Sequence, residues 1–86
     1  MPFKNLTELY QFSSEKMKKN SLFDTSRVQC DVYCFEPGQE QKAHTHDDQD
    51  KIYVVLEGKG TFQVGGVEKT LSREAAVLAK GGEDHG

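Results

Sequence analysis

The stretch that decides the fold runs His44-Thr45-His46-Asp47-Asp48-Gln49-Asp50-Lys51-Ile52-Tyr53-Val54-Val55-Leu56-Glu57-Gly58. Its second half, Lys51 to Glu57, is β-branched and aromatic, has strand length and shows no helical period. Gly58-Lys59-Gly60 predicts a turn into a strand over Thr61 to Val64, and Gly65-Gly66 predicts a tight turn into a return over Val67 to Leu71. The expected arrangement of these strands is an antiparallel meander.

Upstream, Arg27 to Phe35 alternates, with Val28, Cys30, Val32 and Cys34 on one face and Gln29, Asp31 and Tyr33 on the other. The first set is expected to face the core. Asp24-Thr25-Ser26 is a polar turn cluster that joins this strand to an extended segment over Met17 to Phe23. Asn5 to Phe12, with a capping Asn and the apolar residues Leu6, Leu9 and Tyr10, suggests a short helix. Downstream, Ala75 to Ala79 lies between turn signals and reads as a buried strand ending before Gly81-Gly82. Short strands set off by glycine give an all-β class, a sandwich or barrel that closes or covers its edges.

Eighty-six residues make one domain, and a chain of that size buries only roughly 60% of its unfolded surface. The expected division is an N-terminal extension over 1–26 and a barrel over 27–86. With 35% hydrophobic and 29% charged residues and a mean hydropathy of -0.72, the chain suits a half-solvated sheet. A net charge of -3 argues against nucleic acid as a partner, which demands clustered cations. Lys16, Lys18 and Lys19 alternate with Glu15 and Met17 as a solvated edge. The segment Met1 to Tyr10 lacks the apolar run of a signal peptide, and no stretch is long enough to span a bilayer. The expectation is a cytoplasmic protein with no membrane partner. Cys30 and Cys34, four strand residues apart, stand about 13 Å from each other, too far for a disulfide, and are expected to be reduced.

His44 and His46 stand two apart where the chain is expected to be extended, so their imidazoles share a face and suit one ion. His85, beyond the last apolar strand, is the candidate third nitrogen donor from a neighbouring strand. Three nitrogens leave coordination positions open, as in a catalytic metal site. The competing readings are exposed loop histidines beside an acidic run and, for His85, a turn cap near the terminus. Asp47, Asp48 and Asp50 lack the glycine and distal glutamate of an EF-hand loop and read as a solvated loop rather than a calcium site.

Gly38, the pair His44-Thr45-His46 and the run Lys51 to Gly58 resemble the first motif of the cupins, and Lys80-Gly81-Gly82-Glu83-Asp84-His85 is similar to the second. The resemblance implies a jelly-roll barrel, a double-stranded β-helix, holding a divalent metal such as iron, manganese, nickel or zinc. Three departures stand out. Counting back from Gly58, the family's metal-binding glutamate falls on Lys51, which does not ligate while protonated; counting forward from His46 it falls on Asp50. Asp50, Gln49 or a site of three histidines alone are the alternatives. Lys80 stands where the family has proline, and the barrel is expected to lack its last strands after Gly86.

The resemblance implies a fold and a metal but not a reaction; the first expectation is metal-dependent chemistry of the dioxygenase or isomerase kind on a small oxygen-bearing metabolite. Lys51, Tyr53 and Asp50 are the candidates for proton handling. The alternatives are a non-catalytic module that binds a small sugar or carboxylate, and a metal-free structural domain. Cys30 and Cys34 read as small core residues and Tyr53 and Phe62 as packing aromatics. A thin core and an exposed sheet face lead to the expectation of a homodimer.

Overall fold

The computed structural model describes residues 3–45 and 48–86. The chain divides into two compact units, Met1–Gln41 and Lys42–Gly86.

In the first unit, β1 (Lys18–Asp24) and β2 (Gln29–Cys34) form an antiparallel hairpin. Thr25 closes its turn: its Oγ1 accepts the N–H groups of Arg27 and Val28 at 3.2 and 3.0 Å. The register slips between Ser21 and Phe23, which leaves Leu22 as an extra residue in β1. Leu22, Val32 and Cys34 are buried. Val28 and Cys30, expected in the core with them, are exposed. Both lie on the turn side of the bulge, where the ladder is interrupted, so the inward face extends only over Val32 and Cys34. Both cysteines are free thiols. The short helix expected over Asn5 to Phe12 is a single 3-10 turn, Leu6–Leu9, that buries nothing. The Asn5 side chain makes no capping bond, so neither a cap nor a packed face extends the turn into an α-helix. Asn20 Nδ2 instead holds the segment by donating to the carbonyls of Leu9 and Gln11 at 2.9 and 3.2 Å.

The second unit holds β3 (Lys51–Val54), β4 (Lys59–Val64), β5 (Val67–Ser72) and β6 (Ala76–Ala79). The hairpin β4–β5 is closed by Gly65 and Gly66 at φ +56° and +88°, the positive pair that a two-residue turn matching strand twist requires. Phe62 and Val64 lie on its inner face, and the Thr61 and Thr70 hydroxyls, 2.9 Å apart, on its outer face. The expected meander is corrected at β3, which pairs with β6 rather than with β4. Gly58, at φ +74°, redirects the chain out of β3, and the whole β4–β5 hairpin intervenes before β6 returns alongside it. The strand expected over Lys51 to Glu57 ends at Val54. There the Val55 N–H bonds to the Ala75 carbonyl and the Val55 carbonyl accepts from Glu74 N–H, which turns the pair into a tight corner. β6, expected to be a buried strand, alternates instead: Val77 and Ala79 face inward beside Tyr53 and Lys51, while Ala76 and Leu78 face outward beside Val54 and Ile52. The fold class is all-β, as the sequence predicts.

Candidate metal centre

The core of the site is a backbone pairing. His44 and His85 exchange both ladder bonds, His44 N–H to the His85 carbonyl at 2.7 Å and His85 N–H to the His44 carbonyl at 2.9 Å. Directly opposed antiparallel residues project their side chains to the same side, and the two imidazole centroids lie 4.3 Å apart with planes inclined at 58°. The other side of the His85 segment is fastened to β4. Gln63 and Gly86 exchange N–H···O bonds of 2.9 and 3.0 Å, and Gly65 N–H donates to the Asp84 carbonyl at 2.8 Å. His85 is thereby fixed between two neighbours and is only 2% exposed, while His44 is half-buried.

The ring nitrogens are set by a shared device. Nδ1 of His44 lies 3.0 Å from the Lys42 carbonyl, and Nδ1 of His85 lies 3.0 Å from the Glu83 carbonyl. A carbonyl oxygen only accepts, so in each ring Nδ1 carries a proton and donates it, which makes Nε2 the atom through which either ring would ligate. Donation of one ring N–H to a backbone carbonyl is the arrangement that orients histidines bound to metals. Two neighbouring imidazoles of the same tautomer suit a divalent transition ion, which takes nitrogen donors. Among the described residues, no group of three His, Cys, Asp or Glu is close enough to hold an ion. The third predicted donor, His46, lies outside the described residues, as does Asp47.

An aromatic row leads away from the histidines. Tyr53 lies 6.2 Å from the His85 ring and 5.7 Å from Phe62, centroid to centroid. Lys51 stands on the same face of β3 as Tyr53, half-buried, opposite the buried Ala79, with Nζ 6.0 Å from the Tyr53 centroid. Asp50 is exposed, and its Oδ1 accepts the Gly81 N–H at 2.8 Å, tying the loop before β3 to the loop after β6. Gln49 is exposed as well. Of the two positions onto which a family glutamate could be counted, Lys51 is the one on the Tyr53 face. Beside the row, an apolar cavity of about 190 Å³ is lined by Phe62, Val64, Val67, Lys69, Leu71, Ala76 and Val77.

The family model described as a cupin domain matches residues 31–86. The chain belongs to the cupin family. Among solved structures, this cupin is similar to one described as the crystal structure of TT1209 from Thermus thermophilus. The two are 39% identical with a TM-score of 0.95, over 99% of this chain and 81% of that one. No curated protein matches the chain. Cupin domains commonly bind metals. Among the described residues of this cupin, no helix is long and apolar enough to cross a membrane.

Sequence reading does not reveal two contributors to the site. The carbonyls of Lys42 and Glu83 carry no side-chain signal, although each stands two residues before the histidine it orients. Gly86 is the other. A Cβ there would lie 2.7 Å from Ala43 Cα, so only glycine lets the His85 and His44 segments approach without displacement.

Proposed function

We propose that this cupin is a small metal-dependent enzyme acting on an oxygen-bearing metabolite, with His44, His46 and His85 as its metal-holding residues. The observation that supports it most is the cross-strand pair His44–His85, both rings holding their Nδ1 protons on backbone carbonyls. Donation of Nδ1–H to a backbone carbonyl is how metal-bound histidines are commonly oriented, with Nε2 as the ligating atom. A divalent ion bound there supplies Lewis acidity toward a substrate oxygen and, where it is iron or manganese, a redox couple. Tyr53, within ring contact of His85, places its phenol as the group that gives or takes a proton at Oη. The apolar cavity beyond Phe62, about 190 Å³, suits a small metabolite rather than a large organic cofactor. Asp50, occupied with Gly81, serves the loop in this reading.

The test is turnover. Protein stripped of metal and reloaded separately with iron(II), manganese, nickel or zinc is offered small hydroxy-carbonyl and dicarbonyl compounds, followed by proton NMR and an oxygen electrode. Conversion that needs one metal and disappears in His44→Ala supports the enzyme. Binding without conversion in every loaded form supports the binding-module alternative instead.

A homodimer also belongs to this proposal. It is supported by the outward face of β3 and β6, where Ile52 is 73%, Val54 55% and Leu78 46% exposed.

A further inference from the structure

Among the described residues, Lys51 is a cation on the Tyr53 face with no carboxylate paired to it. It is half-buried, shares its face of β3 with Tyr53, and has no ion pair among the described residues, where the one ion pair is Lys19–Asp31 in the other unit. The neighbouring carboxylate, Asp50, is committed to Gly81 N–H. Imidazoles ligate a metal in their neutral form, so histidine donors alone would leave the full charge of a divalent ion uncompensated. The face would then carry an ammonium and a dication with no carboxylate of the described residues paired to either, which partly desolvated surroundings disfavour.

We infer that Lys51 makes this site one that takes up metal together with a small carboxylate, the substrate's own carboxylate supplying the negative charge that the protein withholds. The inference rests on the metal reading above and narrows it to a substrate class. A lone ammonium is a point charge with three donors and suits one carboxylate, and the apolar cavity lined by Phe62 and Val77, the ring neighbour and the strand partner of Tyr53, has room for a short carbon chain. Linkage makes the effect reciprocal: the anion raises metal affinity by the factor by which the metal raises anion affinity.

The experiment titrates metal-free protein with cobalt(II), read by visible absorption and expressed as free ion, with no added anion, with succinate, and with neutral succinamide. Succinate should raise the cobalt affinity of the wild type about tenfold or more, a usual size for such coupling, and succinamide should leave it unchanged. Lys51→Met should bind cobalt and lose the succinate effect. Lys51→Glu should bind cobalt more tightly than the wild type without any anion and also lose the succinate effect, and circular dichroism checks the fold of both. Equal cobalt affinity with and without succinate in the wild type overturns the inference and leaves the metal reading standing. A succinate effect that survives in Lys51→Met overturns it too, and absence of cobalt binding under every condition overturns both.

Discussion

Asp50 separates two roles that a carboxylate beside a histidine motif can play. Its Oδ1 accepts the Gly81 N–H at 2.8 Å and joins loops that leave the same end of the β3–β6 pair, where Lys51 faces Ala79. A hydrogen bond to a charged acceptor contributes roughly 1.5–3 kcal/mol when shielded. Both partners here are exposed, so solvent screening reduces the figure to about 1 kcal/mol. Asp50→Ala removes the acceptor and should lower the melting temperature of the metal-free protein by about 4–8 °C, the shift that 1 kcal/mol produces in a chain of this size. Asp50→Asn keeps an amide oxygen in place and should lose about half as much. Thermal unfolding followed by circular dichroism reads both, and cobalt titration of the same samples should give affinities within about twofold of the wild type, since no ligand is lost. An unchanged melting temperature together with a tenfold or greater loss of cobalt affinity would refute the reasoning and make Asp50 a ligand.

Gly86→Ala should destabilise the protein by about 1–3 kcal/mol, the usual range for overpacking, because the new Cβ meets the Ala43 backbone at 2.7 and 2.8 Å. It should also weaken cobalt binding, as Ala43 is displaced together with the adjoining His44. Glu74 holds φ +72° without being glycine, so Glu74→Gly should raise the urea midpoint, with a gain of about 0.5–1 kcal/mol as left-handed strain is relieved. Charge on the outward face, as Ile52→Glu with Leu78→Glu, should convert a dimer to a monomer in light scattering and leave the circular dichroism spectrum unchanged; an unaltered dimer mass would remove β3–β6 as the contact.

What was legible in the sequence was local. The run Lys51 to Leu56, the Gly65-Gly66 turn and the two-residue spacing of the histidines each depend on neighbours a few positions away, and β3, the β4–β5 hairpin and the all-β class follow from them. The pairing of β3 with β6 was not legible, because a redirecting Gly58 reads the same as a hairpin glycine until the partner strand is known. The exposure of Val28 and Cys30 was hidden for a related reason: a bulge at Leu22, in the opposite strand, decides where the inward face ends. At the site, the sequence named His44 and His85 but not their direct opposition, which requires register. It left Asp50, Gln49 or three histidines alone as alternatives for the family's glutamate, and which residue shares the face of Tyr53, here Lys51, emerges only from the strand register. The two orienting carbonyls belong to the backbone and leave no trace in residue identity.

The central claim is that His44, His46 and His85 hold a metal ion. Elemental analysis of protein purified without chelator and equilibrated with succinate tests it most directly, alongside a His44→Ala, His46→Ala variant that leaves the buried His85 in place. The account predicts about one equivalent of transition metal in the wild type and its loss from the variant. No metal in the wild type after reconstitution with iron, manganese, nickel or zinc, or undiminished metal in the variant, would contradict it.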